Sequence, residues 1–226
     1  MIEFSNVSFT YQGMNKECIK NISLVIHPGE VVVLAGASGC GKTTMTRLVN
    51  GLIPNFYDGK LTGDIKIDNQ NITSLDMKNI SGIVGSVFQD PRSQFFTMEV
   101  KSELVFACEN HAVERDHIIN RVDNTIEKLD LETLFNKTLS ELSSGEKQKA
   151  AIGSVHTMQP DIYVLDEPSA NLDYESTQKL YLLLKQIKAE GSIIIISEHK
   201  LYYLTALLDR LVYMKNGNAV LPERKC

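Results

Sequence analysis

Residues 36–43 read Gly36-Ala37-Ser38-Gly39-Cys40-Gly41-Lys42-Thr43 and fit the spacing G-x-x-x-x-G-K-[ST] of a phosphate-binding loop. No other stretch restricts the fold as much, because such a loop works only between a buried strand and the start of a helix. Val31-Val32-Val33-Leu34-Ala35 supplies the strand, an unbroken apolar run suited to burial on both faces. Thr44 to Asn50 continues as a helix, with Gly51 as its stop. Free backbone N–H groups and the helix dipole then converge on one spot. Lys42 is expected to reach the β- and γ-phosphates and Thr43 to ligate Mg²⁺, with Thr44 beside them in the cradle. The plain alternative is a glycine-rich turn with an incidental lysine, which the preceding strand disfavours.

Composition narrows the partners. The 226 residues suit one domain with a full core, and the net charge of −5 disfavours sequence-blind nucleic-acid binding, which needs a basic face. Cys18, Cys40, Cys108 and Cys226 are scattered without metal-ligand spacing, as expected of reduced thiols. No charged-then-apolar leader is seen, and no apolar run nears the ~18 residues that cross a bilayer. A membrane role is therefore expected only through a partner subunit.

Along the chain, Ile2 to Phe9 and Ile22 to Ile26 read as strands, ended by Thr10-Tyr11-Gln12-Gly13 and by the turn His27-Pro28-Gly29. They suggest a small antiparallel sheet beside the nucleotide core. Pro54 to Gly59 reads as turn, Leu61 to Ile67 and Ile83 to Phe88 as strands. Glu99 to Asn110, Glu114 to Leu129 and Ser144 to Met158 read as helices. Ile162 to Leu165 and Ile193 to Ile196 are buried-strand runs, with a helix from Glu175 to Ala189 between them. Leu201 to Leu208 reads as a short helix, and Leu211 to Met214 with Ala219 to Leu221 as a hairpin around Asn216-Gly217. Strands alternating with helices predict α/β architecture with a mainly parallel core sheet.

Two further stretches carry chemistry. Asp166-Glu167 ends the run Ile162 to Leu165, which suits Asp166 to hold Mg²⁺ and Glu167 to orient and deprotonate an attacking water. The plain alternative is a helix cap after a strand, which the phosphate loop in the same chain disfavours. Leu142-Ser143-Ser144-Gly145-Glu146, then Lys147-Gln148, opens a helix, and Ser143-x-x-Glu146 is also a capping box. The stretch resembles the signature motif of ATP-binding cassette (ABC) ATPases. It departs from the usual two glycines by placing Ser144 first, and it has Glu146 where glutamine is commonest.

That resemblance spans nearly the whole chain and orders the other residues. It implies a P-loop NTPase with a RecA-like parallel sheet, an antiparallel β subdomain and an inserted helical subdomain at about 95–158 within a single domain 1–226. It implies that Tyr11 stacks on adenine, that Gln89 senses Mg²⁺ and the γ-phosphate, and that His199 contacts the γ-phosphate. Gly36 to Thr43, Asp166 and Glu167 are then expected to act in cis. Ser143, Gly145 and Asp173, the last in the loop Ser169-Ala170-Asn171-Leu172-Asp173, are expected to act in trans on the nucleotide of a second ATPase subunit. Glu198 remains a minor rival to His199 for a polar role.

The stretch Gln89-Asp90-Pro91-Arg92-Ser93-Gln94-Phe95-Phe96 through Phe106 resembles the glutamine loop of energy-coupling-factor ATPases. Ile196 to Leu201 resembles the same subgroup. This implies an importer subunit for a vitamin, cobalt or nickel, peripheral on the cytoplasmic membrane face. Integral partners would include a substrate-binding one. Phe95, Phe96, Met98, Val100, Val105 and Phe106 are expected to line a groove for a partner helix, or else to pack the helical block. Two rival readings are a soluble ABC ATPase acting on nucleic acid or ribosomes, and a regulatory module that does not turn over. The short span from Thr43 to Ser143 opposes the first, and Glu167 with His199 opposes the second.

Overall fold

The structure, a computed structural model, describes residues 1–220. Strands β1 (Ile2–Tyr11), β2 (Ile19–Ile26), β4 (Gly59–Ile67) and β5 (Gln70–Asn71) form an antiparallel sheet in the order β2-β1-β4-β5. The second sheet, in the order β10-β9-β3-β8-β7-β6, holds six strands: β3 (Val31–Ala35), β6 (Val84–Val87), β7 (Ile162–Asp166), β8 (Ile193–Ser197), β9 (Arg210–Lys215) and β10 (Asn218–Val220). It is parallel from β9 to β6, and only β10 returns antiparallel.

The apolar runs are continuous because this sheet separates two cores. Val32, Leu34, Ile162, Val164, Ile193 and Ile195 face one side, with Met45, Leu48 and Val49 of helix α1 (Lys42–Val49) and the inner face of the antiparallel sheet. Val31, Val33, Tyr163, Leu165, Ile194 and Ile196 face the other. There they meet α4 (Val100–Asn110), α5 (Arg115–Leu129), α6 (Ser144–His156) and α7 (Tyr174–Ala189). Alternation along a strand with both faces buried leaves no polar position, so the pattern shows no period of two. Helices α4 to α6 fall between β6 and β7, as the block of helical patterns predicts.

Several boundaries differ from expectation. β1 runs on through Tyr11, because Tyr11 pairs with Gly59 on β4. Pro54 lies in a short helix, α2 (Leu52–Asn55). Met77–Ile83 forms helix α3, capped by Asp76, whose side chain accepts from Asn79 N. Ile83 therefore ends a helix and does not open a strand. The apolar spacing Met77, Ile80, Ile83 carries that helix, but it is too short to stand out. Leu201 to Leu208 is not a helix. It folds as turns, with Leu204 N donating to Leu201 O and Leu207 N to Leu204 O, and it buries Tyr203, Leu204 and Leu207. An apolar residue at every third position fits turns that close at i+3 as well as it fits a helix. The hairpin around Asn216-Gly217 is present; Leu221 and the segment 222–226 lie outside the described residues.

The adjacent strands β7, β8 and β3 end at one level. Asp166 pairs with Ser197, and Ser197 with Leu34, so Glu167, Glu198 and Gly36 leave the sheet side by side. Crevices at the carboxyl ends of parallel strands are where open α/β sheets bind ligands.

Candidate functional site: a phosphate cradle and its hydrolytic cluster

The loop 36–43 leaves β3 and enters α1, whose N-cap Gly41 (φ 114°) offers no side-chain cap. The opening amides of the helix are thus left for an anion. A Cβ at Gly41 would lie 2.8 Å from the Cys18 carbonyl oxygen, so the loop excludes any larger residue there. Lys42 is buried, and its ammonium donates to Gly36 O at 3.0 Å. The same Nζ stands 3.2 Å from His199 Nε2. Cys40 packs inward and is buried in the core below the loop.

Around Lys42 the structure gathers the residues expected to act in cis. His199 Nε2 lies 3.1 Å from Glu167 Oε1, and Gln89 Nε2 donates to Glu167 Oε2 at 3.3 Å. Residues 42, 89, 167 and 199, far apart in the chain, form one continuous chain of contacts. Glu167 takes a left-handed conformation (φ 46°), held by its N–H donating to Ser197 O at 2.8 Å. A non-glycine residue kept there is strained, and such strain concentrates at functional sites. Burial pushes the Asp166 carboxyl above its ordinary range, against the pull of the Ser197 and Thr43 hydroxyls. Its buried Oδ1 has no hydrogen-bond partner. A carboxylate oxygen left orphaned beside the Thr43 hydroxyl fits a hard divalent cation such as Mg²⁺, which prefers oxygen ligands.

The residues expected to act in trans form a second group. Ser143 caps α6: Glu146 N donates to Ser143 Oγ at 3.3 Å, and Ser143 N to Glu146 Oε2 at 2.8 Å. Lys137, 2.9 Å from Glu146 Oε1, together with the Ser143 amide, depresses the Glu146 carboxyl to about 2. Asp173 caps α7 through Ser176 N at 2.8 Å. Gly145 faces Ser176, and a Cβ there would meet Ser176 Oγ at 2.4 Å. The first turns of α6 and α7 therefore touch within the chain, so the glycine has an internal reason to be small.

Residues 19–170 match the protein-family model described as ABC transporter. The chain belongs to the ABC transporter family. Two putative ABC transporter ATP-binding proteins of Treponema denticola (strain ATCC 35405) are 46% and 47% identical to it. They cover 96% and 97% of this cassette, which spans only 44% and 45% of their length. Among solved structures, cbiO1 from Clostridium perfringens, part of the ABC transporter complex cbiONQ, has a TM-score of 0.87 at 30% identity. That alignment covers 97% of this chain and 86% of cbiO1. The cassette MJ0796, solved as a dimer in a post-hydrolysis state with ADP and Pi, has a TM-score of 0.80 at 26% identity. It covers 97% of this chain and 96% of its own. The fold is thus that of the ATP-hydrolysing ABC cassettes.

Two parts of the cassette site escape sequence reasoning. Tyr11 is tied down by its hydroxyl, 3.2 Å from Thr44 Oγ1 and accepting from Arg47 at 3.1 Å. Arg47 in turn lies 4.1 Å above the Tyr57 ring, which meets the Tyr11 ring edge-on. Arg47 and Tyr57 were not among the expected residues. The one available signal is that Arg47 follows Thr43 by four positions and so shares its helix face. The groove expectation and its packing alternative divide among the six apolar residues. Phe96 and Phe106 stack at 4.9 Å and line a cavity of about 480 Å³ with Phe88, Met77 and Glu103. Val100 is buried, Phe95 and Val105 pack on the helical core, and Met98 is exposed without lining the cavity. Helix α4 turns Val100, Val105 and Phe106 to different sides, and the loop before it separates Phe95, Phe96 and Met98, which a list of apolar positions does not reveal.

Proposed function

We propose that this cassette is the ATP-hydrolysing subunit of a membrane importer of the energy-coupling-factor type, powering uptake of a vitamin or a transition metal ion. The observation that carries the hydrolytic part is the contact chain Gln89–Glu167–His199–Lys42 at the mouth of the phosphate loop. Gly36, Ala37, Ser38, Gly39, Cys40, Gly41, Lys42, Thr43 and Thr44 cradle the triphosphate, with Tyr11 against the base. Thr43, Asp166 and Gln89 would hold Mg²⁺, which would supply charge neutralisation to the phosphate oxygens. Glu167 accepts the proton of the attacking water, and Gln89 keeps that carboxylate aimed. His199 reaches the γ-phosphate from the same carboxylate. Ser143, Gly145 and Asp173 serve the nucleotide of a second ATPase subunit, identical or homologous.

The stacked Phe96 and Phe106 floor the cavity beside the glutamine loop, and this apolar groove suits a helix of an integral partner. No helix among the described residues is long and apolar enough to cross a membrane; the match to the ABC transporter family is what supports a peripheral place on the cytoplasmic face, docked on integral subunits. The test is copurification from detergent-solubilised membranes. An integral substrate-binding subunit should accompany the wild type and be lost from Phe96→Ala, with basal hydrolysis retained. Loss of hydrolysis in proportion would make Phe96 a packing residue.

A further inference from the structure

Glu198 follows β8, and only 2% of its surface is exposed. A buried carboxylate is costly unless paired, and no cation pairs with it among the described residues. Its Oε1 instead accepts from Ser169 Oγ at 2.7 Å and from Lys200 N at 3.1 Å. Lys200 Nζ closes the circuit by donating to Ser169 O at 3.1 Å. Ser169 is itself fully buried. Glu198 Oε2 and the Tyr203 hydroxyl beside it have no partner. An arrangement this poorly compensated adds little to stability, so its use lies in what it holds together.

It holds two loops. Ser169 is two residues after Glu167 and four before Asp173; Glu198 and Lys200 flank His199 on both sides. We infer that Glu198 is a positioning residue: its carboxylate clamps Ser169 against the backbone of Lys200, fixing His199 beside Glu167 and setting the start of the segment that ends at Asp173. The backbone anchors are separate from it. Glu198 N donates to Leu34 O and Glu167 N to Ser197 O, so side-chain loss leaves β8 and β7 in place. Glutamine keeps an oxygen for both donors, whereas alanine keeps none.

The inference rests on the assignment of His199 and Glu167 to hydrolysis. Glu198→Ala should lower kcat about 10- to 100-fold with KM for ATP within about twofold, because misplacing a reacting group costs rate and the cradle is untouched. Glu198→Gln should stay within about threefold of wild type. Ser169→Ala should fall like Glu198→Ala, and the double variant no further, as expected of one unit. The nitrogen NMR signals of the His199 ring should move in Glu198→Ala and stay in Glu198→Gln. Wild-type kcat in Glu198→Ala, an unmoved His199 signal, or a joint loss of kcat, ATP affinity and melting temperature in both variants would each overturn the clamp. The NMR arm reads it even if Glu167→Gln were to show that hydrolysis proceeds elsewhere.

Discussion

The two polar regions of this cassette are built on opposite plans. In the first, side chains from the ends of β7 and β8, the start of α1 and the glutamine loop face each other, and Glu167 links Gln89 to His199 directly. At the tips of α6 and α7, Ser143, Glu146 and Asp173 spend their side chains capping their own helices. The first region is a set of groups from separate elements held within contact of one another. The second is an edge where two capped helix N-termini meet. A region of the first kind shows its purpose within one chain. The second kind shows only that its helices are capped, and its role depends on what approaches it.

The largest expected effect tests the first plan. Glu167→Gln should reduce phosphate release about 10²- to 10⁴-fold while equilibrium ATP binding persists, since only the proton acceptor is lost. Undiminished turnover would dissolve the contrast. Next comes Gly145→Ala. Its methyl gains about 0.5–1 kcal/mol of helix propensity, yet Ser176 Oγ at 2.4 Å and Ser176 Cβ at 2.8 Å leave it no room. Overpacking of about 1–3 kcal/mol should win, and the melting temperature should fall. Ser176→Gly in the same chain should restore it. Lost hydrolysis at unchanged melting temperature would mean that Gly145 is small for a partner's sake.

The smallest effect concerns pH. The Glu146 carboxyl sits at about 2 instead of its ordinary 4.5, first because of Lys137 and then because of the Ser143 amide. A depressed carboxyl contributes stability that is fully present above 4.5 and is lost as pH falls from there toward 2. Lys137→Ala should raise the Glu146 titration midpoint, followed by carboxyl NMR, and narrow the acid-sensitive window. An unmoved midpoint would mean that the helix cap alone holds Glu146.

Motifs with strict local geometry were legible in the chain. The phosphate loop, the strand before it, the acidic pair and the capping box each need particular residues within a few positions, because backbone amides and dipoles act over one turn. The helix Met77–Ile83 was missed, with Ile83 read as a strand start, and Leu201–Leu208 was misread as a helix, because a short apolar spacing of three fits helix and turn alike until packing chooses. Arg47 and Tyr57 were missed because the ring under Arg47 comes from a different element.

By itself, then, the sequence determined where a phosphate can be held and which strands are buried on both sides, since both follow from near neighbours. Only the tertiary structure decided that Glu198 is buried against Ser169, that a Cβ on Gly145 would meet Ser176, and that Phe96 but not Phe95 faces the groove. Those outcomes depend on which surfaces of separate elements meet, and contact across the fold has no signature in local spacing.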